Sequence, residues 1–106
     1  MKASKRSSIY VPAPTNRDLS DLERYGDIKY LSDKPLHRHA IDSMESLFSE
    51  RLRDSEPGDY ILVSALSIMS MVAAIVFYDM HGRVNLILHD HGDRYVDRSF
   101  SSVSRG

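Results

Sequence analysis

A long run without a charged side chain constrains the fold of this chain more than any other feature. It reads YILVSALSIMSMVAAIVFY from Tyr60 to Tyr78 and lies between Asp59 and Asp79. A transmembrane helix needs about 20 predominantly apolar residues, so the length of the run alone permits a membrane span. The alternative is that the run forms two buried elements of a globular domain.

Three local signals favour two elements over one span. The run opens with the β-rich Tyr-Ile-Leu-Val directly after the turn-forming Glu-Pro-Gly-Asp at 56–59. Ser64, Ser67 and Ser70 interrupt the run, and serine near the start of a helix commonly caps it. The apolar pattern resumes at Val84 after a histidine, a glycine and an arginine. We therefore predict a strand, a helix and a second strand, and no membrane association.

The central unit sets the expected topology. The continuous apolar residues at 60–64 are typical of a strand that is covered on both faces. The helix is predicted over about 67–80, with Gly82 as its C-terminal stop, and the next strand over 84–88. A strand–helix–strand unit of this length forms a right-handed parallel crossover in nearly all cases.

The segments before and after this central unit continue the alternation of strands and helices. A short strand is predicted at 9–11 and a short helix at 18–26, with either Asp18 or the Ser20–Glu23 pair as its cap. An edge strand follows at 27–31, and a C-terminal strand at 94–100 comes after a hairpin turn at 90–93. The helix predicted over 40–54 has its apolar residues on one stripe, namely Ile41, Met44, Leu47, Phe48 and Leu52.

The order β-α-β-α-β-α-β-β predicts a three-layer, Rossmann-like α/β domain. Its sheet has about five strands and is mostly parallel, with the C-terminal strand as an antiparallel edge. The predicted domain spans 9–100, with a flexible basic tail at 1–8 and a flexible tail at 101–106.

Composition narrows the functional classes. The chain has 106 residues, enough for one domain, and its formal net charge of −1 lacks the basic excess of non-specific nucleic-acid binders. It has no cysteine, which excludes disulfides, thiolate metal sites and a cysteine nucleophile. No apolar stretch follows the basic start, so we expect no secretory signal and a cytoplasmic location.

Several short motifs resemble a type of small α/β protein encoded by bacteriophages. They are YVP at 10–12, the segment 19–26, YLS at 30–32, DYILVS at 59–64, HGRVNL at 81–86 and RYV at 94–96. The resemblance covers about 9–100 and implies a viral origin, with the host cytoplasm as the location. It implies no particular chemistry. Ser64-Ala65 stands where the resemblance leads us to expect Ser-Gly, which argues against a close approach of phosphate to the backbone there.

Polar residues that could bind an anion follow the predicted parallel strands. In an open parallel sheet, ligands bind beyond the carboxyl ends of the strands, where the strand order reverses. The candidates for a small anionic ligand such as a nucleotide phosphate are Asn16, Arg17, Arg38, Ser64 and Ser67. The start of the long helix would add free N–H groups. The alternative is that both serines only cap that helix, since no glycine-rich loop is present.

Four of the five histidines follow the same strand ends if all four strands are parallel. Imidazole and carboxylate groups suit zinc, manganese or iron, and an open coordination position would activate water for hydrolysis. The candidate metal ligands are His37, His39, His89, Asp90 and His91. The alternative is a polar turn and a solvated loop, because the spacing matches no established zinc motif.

The preferred interpretation is a non-catalytic accessory protein without a cofactor, which binds a host protein or a small anionic ligand at the carboxyl ends of the strands. The competing interpretation is a metal-assisted phosphoesterase that uses the histidines. We also expect a homo-oligomer, because a domain of this size buries a modest share of its surface and the long helix is apolar almost all round. Two-fold symmetry is the commonest arrangement.

Overall fold

A computed structural model of the chain describes residues 6–13, 18–33, 40–63, 68–89 and 94–101. The predicted turn at 90–93 and most of the two predicted tails lie outside these ranges. The elements in chain order are β1 Ser8–Val11, a 3-10 helix Ser20–Arg24, β2 Asp27–Tyr30, α1 Ile41–Arg51, β3 Tyr60–Val63, α2 Ile68–His81, β4 Arg83–His89 and β5 Tyr95–Ser101.

The five strands form one sheet in the order β2-β1-β3-β4-β5. Strands β2, β1, β3 and β4 are mutually parallel, and β5 pairs with β4 in the antiparallel direction. This confirms the predicted α/β class, the mostly parallel sheet and the antiparallel C-terminal edge. The strand order itself could not be predicted from the sequence.

The charge-free run divides into two elements, as predicted. It supplies the whole of β3 and most of α2. The helix ends where expected, because Gly82 has a φ of 72° and its N–H donates to the carbonyl oxygen of Tyr78 at 2.7 Å. Within the described ranges, no helix is both long enough and apolar enough to cross a membrane.

The two faces of the sheet are covered unequally. On one face α2 packs over β3 and β4, and α1 packs against α2. The core on this side includes Phe48, Ile61 and Phe77, all fully buried. The opposite face carries a smaller cluster in which Leu19 and Leu22 of the 3-10 helix region meet β1, β3 and β4. The three predicted layers are therefore two α-helices, the sheet and one short 3-10 helix.

Two local details differ from the predictions. The short helix predicted at 18–26 is present as the 3-10 helix Ser20–Arg24, and the Ser20–Glu23 capping box does not form. The carboxylate of Asp18, the other predicted cap, accepts the Ser20 N–H at 3.0 Å. Ile41, placed on the buried stripe of α1, is 47% exposed because it is the first residue of the helix and precedes the packed turns.

Candidate functional site

The parallel strands end together along one side of the sheet, which we call the carboxyl edge. The terminal residues, in spatial order, are Tyr30 of β2, Val11 of β1, Val63 of β3 and His89 of β4. The sequential order of the strands reverses between β1 and β3, so these two ends flank the position where open α/β sheets bind ligands.

The predicted anion ligands follow three strands that are neighbours in the sheet. Asn16 and Arg17 follow β1, Arg38 follows β2, and Ser64 and Ser67 follow β3. All five side chains lie outside the described residues, so their positions stay predictions. The strands before them are β2, β1 and β3, which occupy consecutive places, and four of the five residues come from the segments at the β1–β3 reversal.

The predicted metal ligands follow strands that are not neighbours. His37 and His39 come after β2, while His89, Asp90 and His91 lie at and beyond the end of β4. Two strands separate those ends, a distance of three strand spacings or roughly 14 Å. Apart from the backbone of His89, all of these residues lie outside the described ranges. Among the described residues there is no cluster of three or more metal-binding side chains.

The start of α2 lies at the carboxyl edge and carries uncompensated helix dipole charge. The helix follows β3 after the segment 64–67 and has no acidic residue in its first turn. An acidic side chain there would neutralise the positive end of the helix dipole. Its absence leaves the first N–H groups of α2 electrostatically favourable for an anion.

The opposite side of the sheet, the amino edge, holds a buried carboxylate. Asp59, which precedes β3, is only 6% exposed. One carboxylate oxygen accepts the Ser8 N–H at 2.9 Å and the other accepts the Glu56 N–H at 2.9 Å. The side chain therefore ties the start of β1 to the start of β3, which is a structural role.

Asn85 of β4 continues this network and uses its full hydrogen-bonding capacity. Its Nδ2 donates to the carbonyl oxygens of Pro57 and Asp59, each at 2.8 Å. Its Oδ1 accepts from Arg83 and from the Ser99 hydroxyl, each at 2.8 Å. Because both donors and both lone pairs are satisfied, Asn85 has no capacity left for a substrate.

A serine and a histidine also meet at the amino edge. Ser55 Oγ lies 2.8 Å from His81 Nε2 and 2.6 Å from the carbonyl oxygen of Leu52. A carbonyl can only accept, so the single hydroxyl proton of Ser55 goes to Leu52 and His81 Nε2 donates to Ser55 Oγ. A nucleophilic serine needs the reverse arrangement, with the histidine accepting its proton. The pair therefore holds the ends of α1 and α2 together and does not form a catalytic dyad.

Two tyrosines, one on either side of the sheet, have raised pKa values because they are partly buried in surroundings of low polarity. Burial raises the pKa of Tyr10 above its ordinary value, and the negative charge of Asp59 adds to that rise. Burial also raises the pKa of Tyr60, with a further contribution from Asp97. Both phenols stay protonated at neutral pH and act as packing groups with a polar tip.

Sequence reasoning missed the whole amino-edge network. Asp59 was assigned only to a turn, the boundary of the charge-free run and a resemblance motif, and His81 only to the turn before β4 and another such motif. Asp59 and Ser8 lie 51 positions apart, and Ser55 and His81 lie 26 apart. No local spacing connects such pairs, so only the sheet topology reveals them.

Comparison with known proteins supports the phage resemblance. A family model described as Phage Pam3 gp32-like protein matches residues 4–101, which is nearly the whole chain. No curated protein and no solved structure matches the chain. The match spans every described strand and helix. The chain therefore belongs to the Phage Pam3 gp32-like protein family.

Proposed function

We propose that the chain is a non-catalytic phage accessory protein that binds a small anionic ligand at the carboxyl edge, beside β1 and β3. The strand order is the observation that supports this proposal. The segments that contain Asn16, Arg17, Arg38, Ser64 and Ser67 leave the sheet from three adjacent strands, on both sides of the point where the order reverses.

The chemistry of these residues fits a phosphate group. Arg17 and Arg38 provide guanidinium groups, which bind phosphate oxygens through two parallel hydrogen bonds. Hydroxyl donors come from Ser64 and Ser67, and an amide donor from Asn16. The start of α2, without an acidic residue in its first turn, adds backbone N–H groups. A nucleotide phosphate in the host cytoplasm is the ligand class that these groups favour, and a host protein with an exposed anionic group is the alternative partner.

The accessory protein is proposed to act as a homo-oligomer. Met71 and Ile75 of α2 are 54% and 65% exposed, and Phe100 of β5 is 58% exposed. Large apolar side chains grouped on a surface favour association.

The strand order favours the anion over the metal-assisted phosphoesterase. A metal held by both His37 and His89 would need segments from β2 and β4 to meet across the ends of β1 and β3. Elemental analysis of the purified protein tests this competing prediction. Stoichiometric zinc, manganese or iron that is lost in a His89→Ala and His91→Ala double variant would support the phosphoesterase over the proposal.

Calorimetric titration with inorganic phosphate, AMP, ADP and ATP tests the proposed ligand class. We expect saturable binding of at least one of them, and Arg17→Ala should weaken it about tenfold or more, because a charge-assisted hydrogen bond contributes roughly 1.5–3 kcal/mol. Arg53→Ala is the matched control, since Arg53 is an exposed arginine beyond the end of α1. Absence of saturable binding to all four probes would contradict the anionic-ligand proposal.

A further inference from the structure

The layer of helices stops short of the β5 edge of the sheet and leaves a groove. Helix α2 packs over β3 and β4, while β5 lies beyond it. The groove has a volume of about 880 Å³ and lies between α1 and α2 on one side and β4 and β5 on the other. Its apolar lining comes from Val84 and Leu86 of β4, Phe100 of β5, and Ile75, Val76 and Met80 of α2.

An apolar ridge on α2 forms part of one wall of this groove, because Ile75 lines it, and continues beyond the groove to Met71. Met71 and Ile75 are four residues apart and are therefore neighbours on the helix surface. Their side chains are 54% and 65% exposed, and Met80 at the groove wall is 40% exposed. One surface of the molecule thus carries both a groove that accepts apolar side chains and a ridge that presents them.

Charged side chains of both signs border the same surface. Asp79 of α2 and Glu45 of α1 line the helix side of the groove. Arg98 of β5 is exposed and pairs in register with Leu86, so it lies on the same face of the sheet as the groove. The helix side carries negative charge and the strand side positive charge, so a two-fold axis between them would place opposite charges across the interface.

We propose that a second copy of the chain covers this surface across a two-fold axis, with the α2 ridge of each copy in the groove of the other. An isologous interface requires a self-complementary patch, and the apolar ridge and groove together with the two signs of charge meet that requirement. The inference rests on the homo-oligomer part of the proposed function and names its interface. It is independent of anion binding at the carboxyl edge.

A stable dimer would have to bury the ridge and the flanking parts of α1, α2, β4 and β5 as well as the groove itself. A standard interface buries about 800 Å² on each partner, which is roughly 12% of the 6843 Å² that the chain exposes. The proposed surface extends over α1, α2, β4 and β5. Met71, Ile75 and Phe100 would lie near its centre, where apolar burial contributes most to affinity.

Sedimentation equilibrium over a wide range of protein concentrations tests the proposal with two exposed apolar residues. We expect the wild type to dimerise and Ile75→Asp to raise the dissociation constant by roughly 30-fold or more. Tyr30→Asp is the control, because Tyr30 is 43% exposed on β2, at the edge of the sheet opposite β5. Circular dichroism establishes that each variant is folded, and Met71→Lys provides a second ridge variant should Ile75→Asp not fold.

A charge exchange tests the orientation of the two copies. Asp79→Arg and Arg98→Asp should each weaken the dimer, because each places like charges opposite one another across the axis. The double variant should restore it, since it reverses both partners. Asp21→Arg, an exposed reversal on the 3-10 helix that covers the opposite face of the sheet, is the control.

The outcomes separate the inference from the proposed function. A wild type that is monomeric at every concentration would overturn both the interface and the homo-oligomer, while leaving the calorimetric test of anion binding unaffected. An oligomer that persists in folded Ile75→Asp and Met71→Lys variants would overturn this interface alone. A dimer that is lost in the ridge variants and kept in Tyr30→Asp would support it.

Discussion

The two edges of the sheet use their polar residues in opposite ways. At the amino edge, Asp59 and Asn85 are buried and their polar atoms bind backbone groups of other strands and loops. At the carboxyl edge, β1 and β3 end in the apolar residues Val11 and Val63, and the polar and basic residues come only in the segments that follow. The first edge holds the sheet together, whereas the second is where we propose that the anionic ligand binds.

The residues that look like an active site are therefore different from the residues that we propose bind a ligand. A buried carboxylate and a serine–histidine pair are features that often mark an active site. Here each has a full set of structural partners, so neither can bind a substrate without breaking the fold. Substitutions at the amino edge should therefore lower stability and leave ligand affinity unchanged, and substitutions at the carboxyl edge should do the reverse.

The largest effect is expected for Asp59→Ala. It leaves the Ser8 and Glu56 N–H groups without an acceptor in a buried place, and we expect a loss of about 3 kcal/mol in the free energy of unfolding. Urea denaturation measures this loss. Asp54→Ala, at an exposed aspartate near the end of α1, should change the free energy by less than about 0.5 kcal/mol. Equal effects of the two substitutions would contradict the structural role that we assign to Asp59 at the amino edge.

A smaller loss of about 2 kcal/mol is expected for Gly26→Ala. A Cβ atom at Gly26 would lie only 2.1 Å from the backbone carbonyl oxygen of Ser7, which also accepts the Asp27 N–H at 2.9 Å. Gly58→Ala is the matched control, because a Cβ there meets nothing within 4 Å. Thermal unfolding compares the two variants. The close approach of β1 and β2 at the amino edge would be contradicted if Gly58→Ala lowered the midpoint temperature of unfolding as much as Gly26→Ala.

Ser55→Ala should cost about 1 kcal/mol, the usual contribution of a partly buried hydrogen bond. The substitution removes the donor to Leu52 and the acceptor for His81. The measurement is chemical denaturation alongside an assay with activated esters and phosphodiesters. Turnover by the wild type that disappears in a folded Ser55→Ala variant would show that the pair is catalytic, against our assignment of the proton.

The smallest effect is expected at high pH. A folded-state pKa above the unfolded value means that the folded protein retains the phenol proton longer, so stability should fall as the pH rises through about 10. Tyr10 and Tyr60 both have raised pKa values, chiefly through burial. Tyr10→Phe and Tyr60→Phe should each make this fall shallower, as measured by urea denaturation between pH 8 and 11. An unchanged slope in the double variant would contradict the assignment.

Much of the fold could be predicted because it depends on local patterns. The position of the break between β3 and α2 followed from the β-rich start and the serines, and Gly82 marked the end of α2. The stripe of α1 correctly identified Met44, Phe48 and Leu52 as buried. The first predicted helix is a short 3-10 helix in which Leu19 and Leu22 are the buried apolar residues and Tyr25 packs partly buried beside them, too little apolar surface to hold a longer helix against the sheet.

The strand order and the amino-edge network could not be predicted, because they depend on contacts between distant parts of the chain. The sequence predicted which residues follow the strands at the carboxyl edge, but not which of those strands are neighbours in the sheet. The strand order supplies that information, since it makes the ends of β2, β1 and β3 neighbours and separates the ends of β2 and β4. The proposal of an anion as the ligand rests on that order.

The most direct test of ligand binding at the carboxyl edge is a two-dimensional ¹H–¹⁵N NMR titration of the chain with ATP and with inorganic phosphate. We predict saturable shifts in the backbone amides of Val11, Val63 and Ile68, at the ends of β1 and β3 and the start of α2, with the amides of Gly58, Asp59 and Asn85 unmoved. Saturable shifts confined to the amino edge, or none anywhere in the chain, would contradict the account.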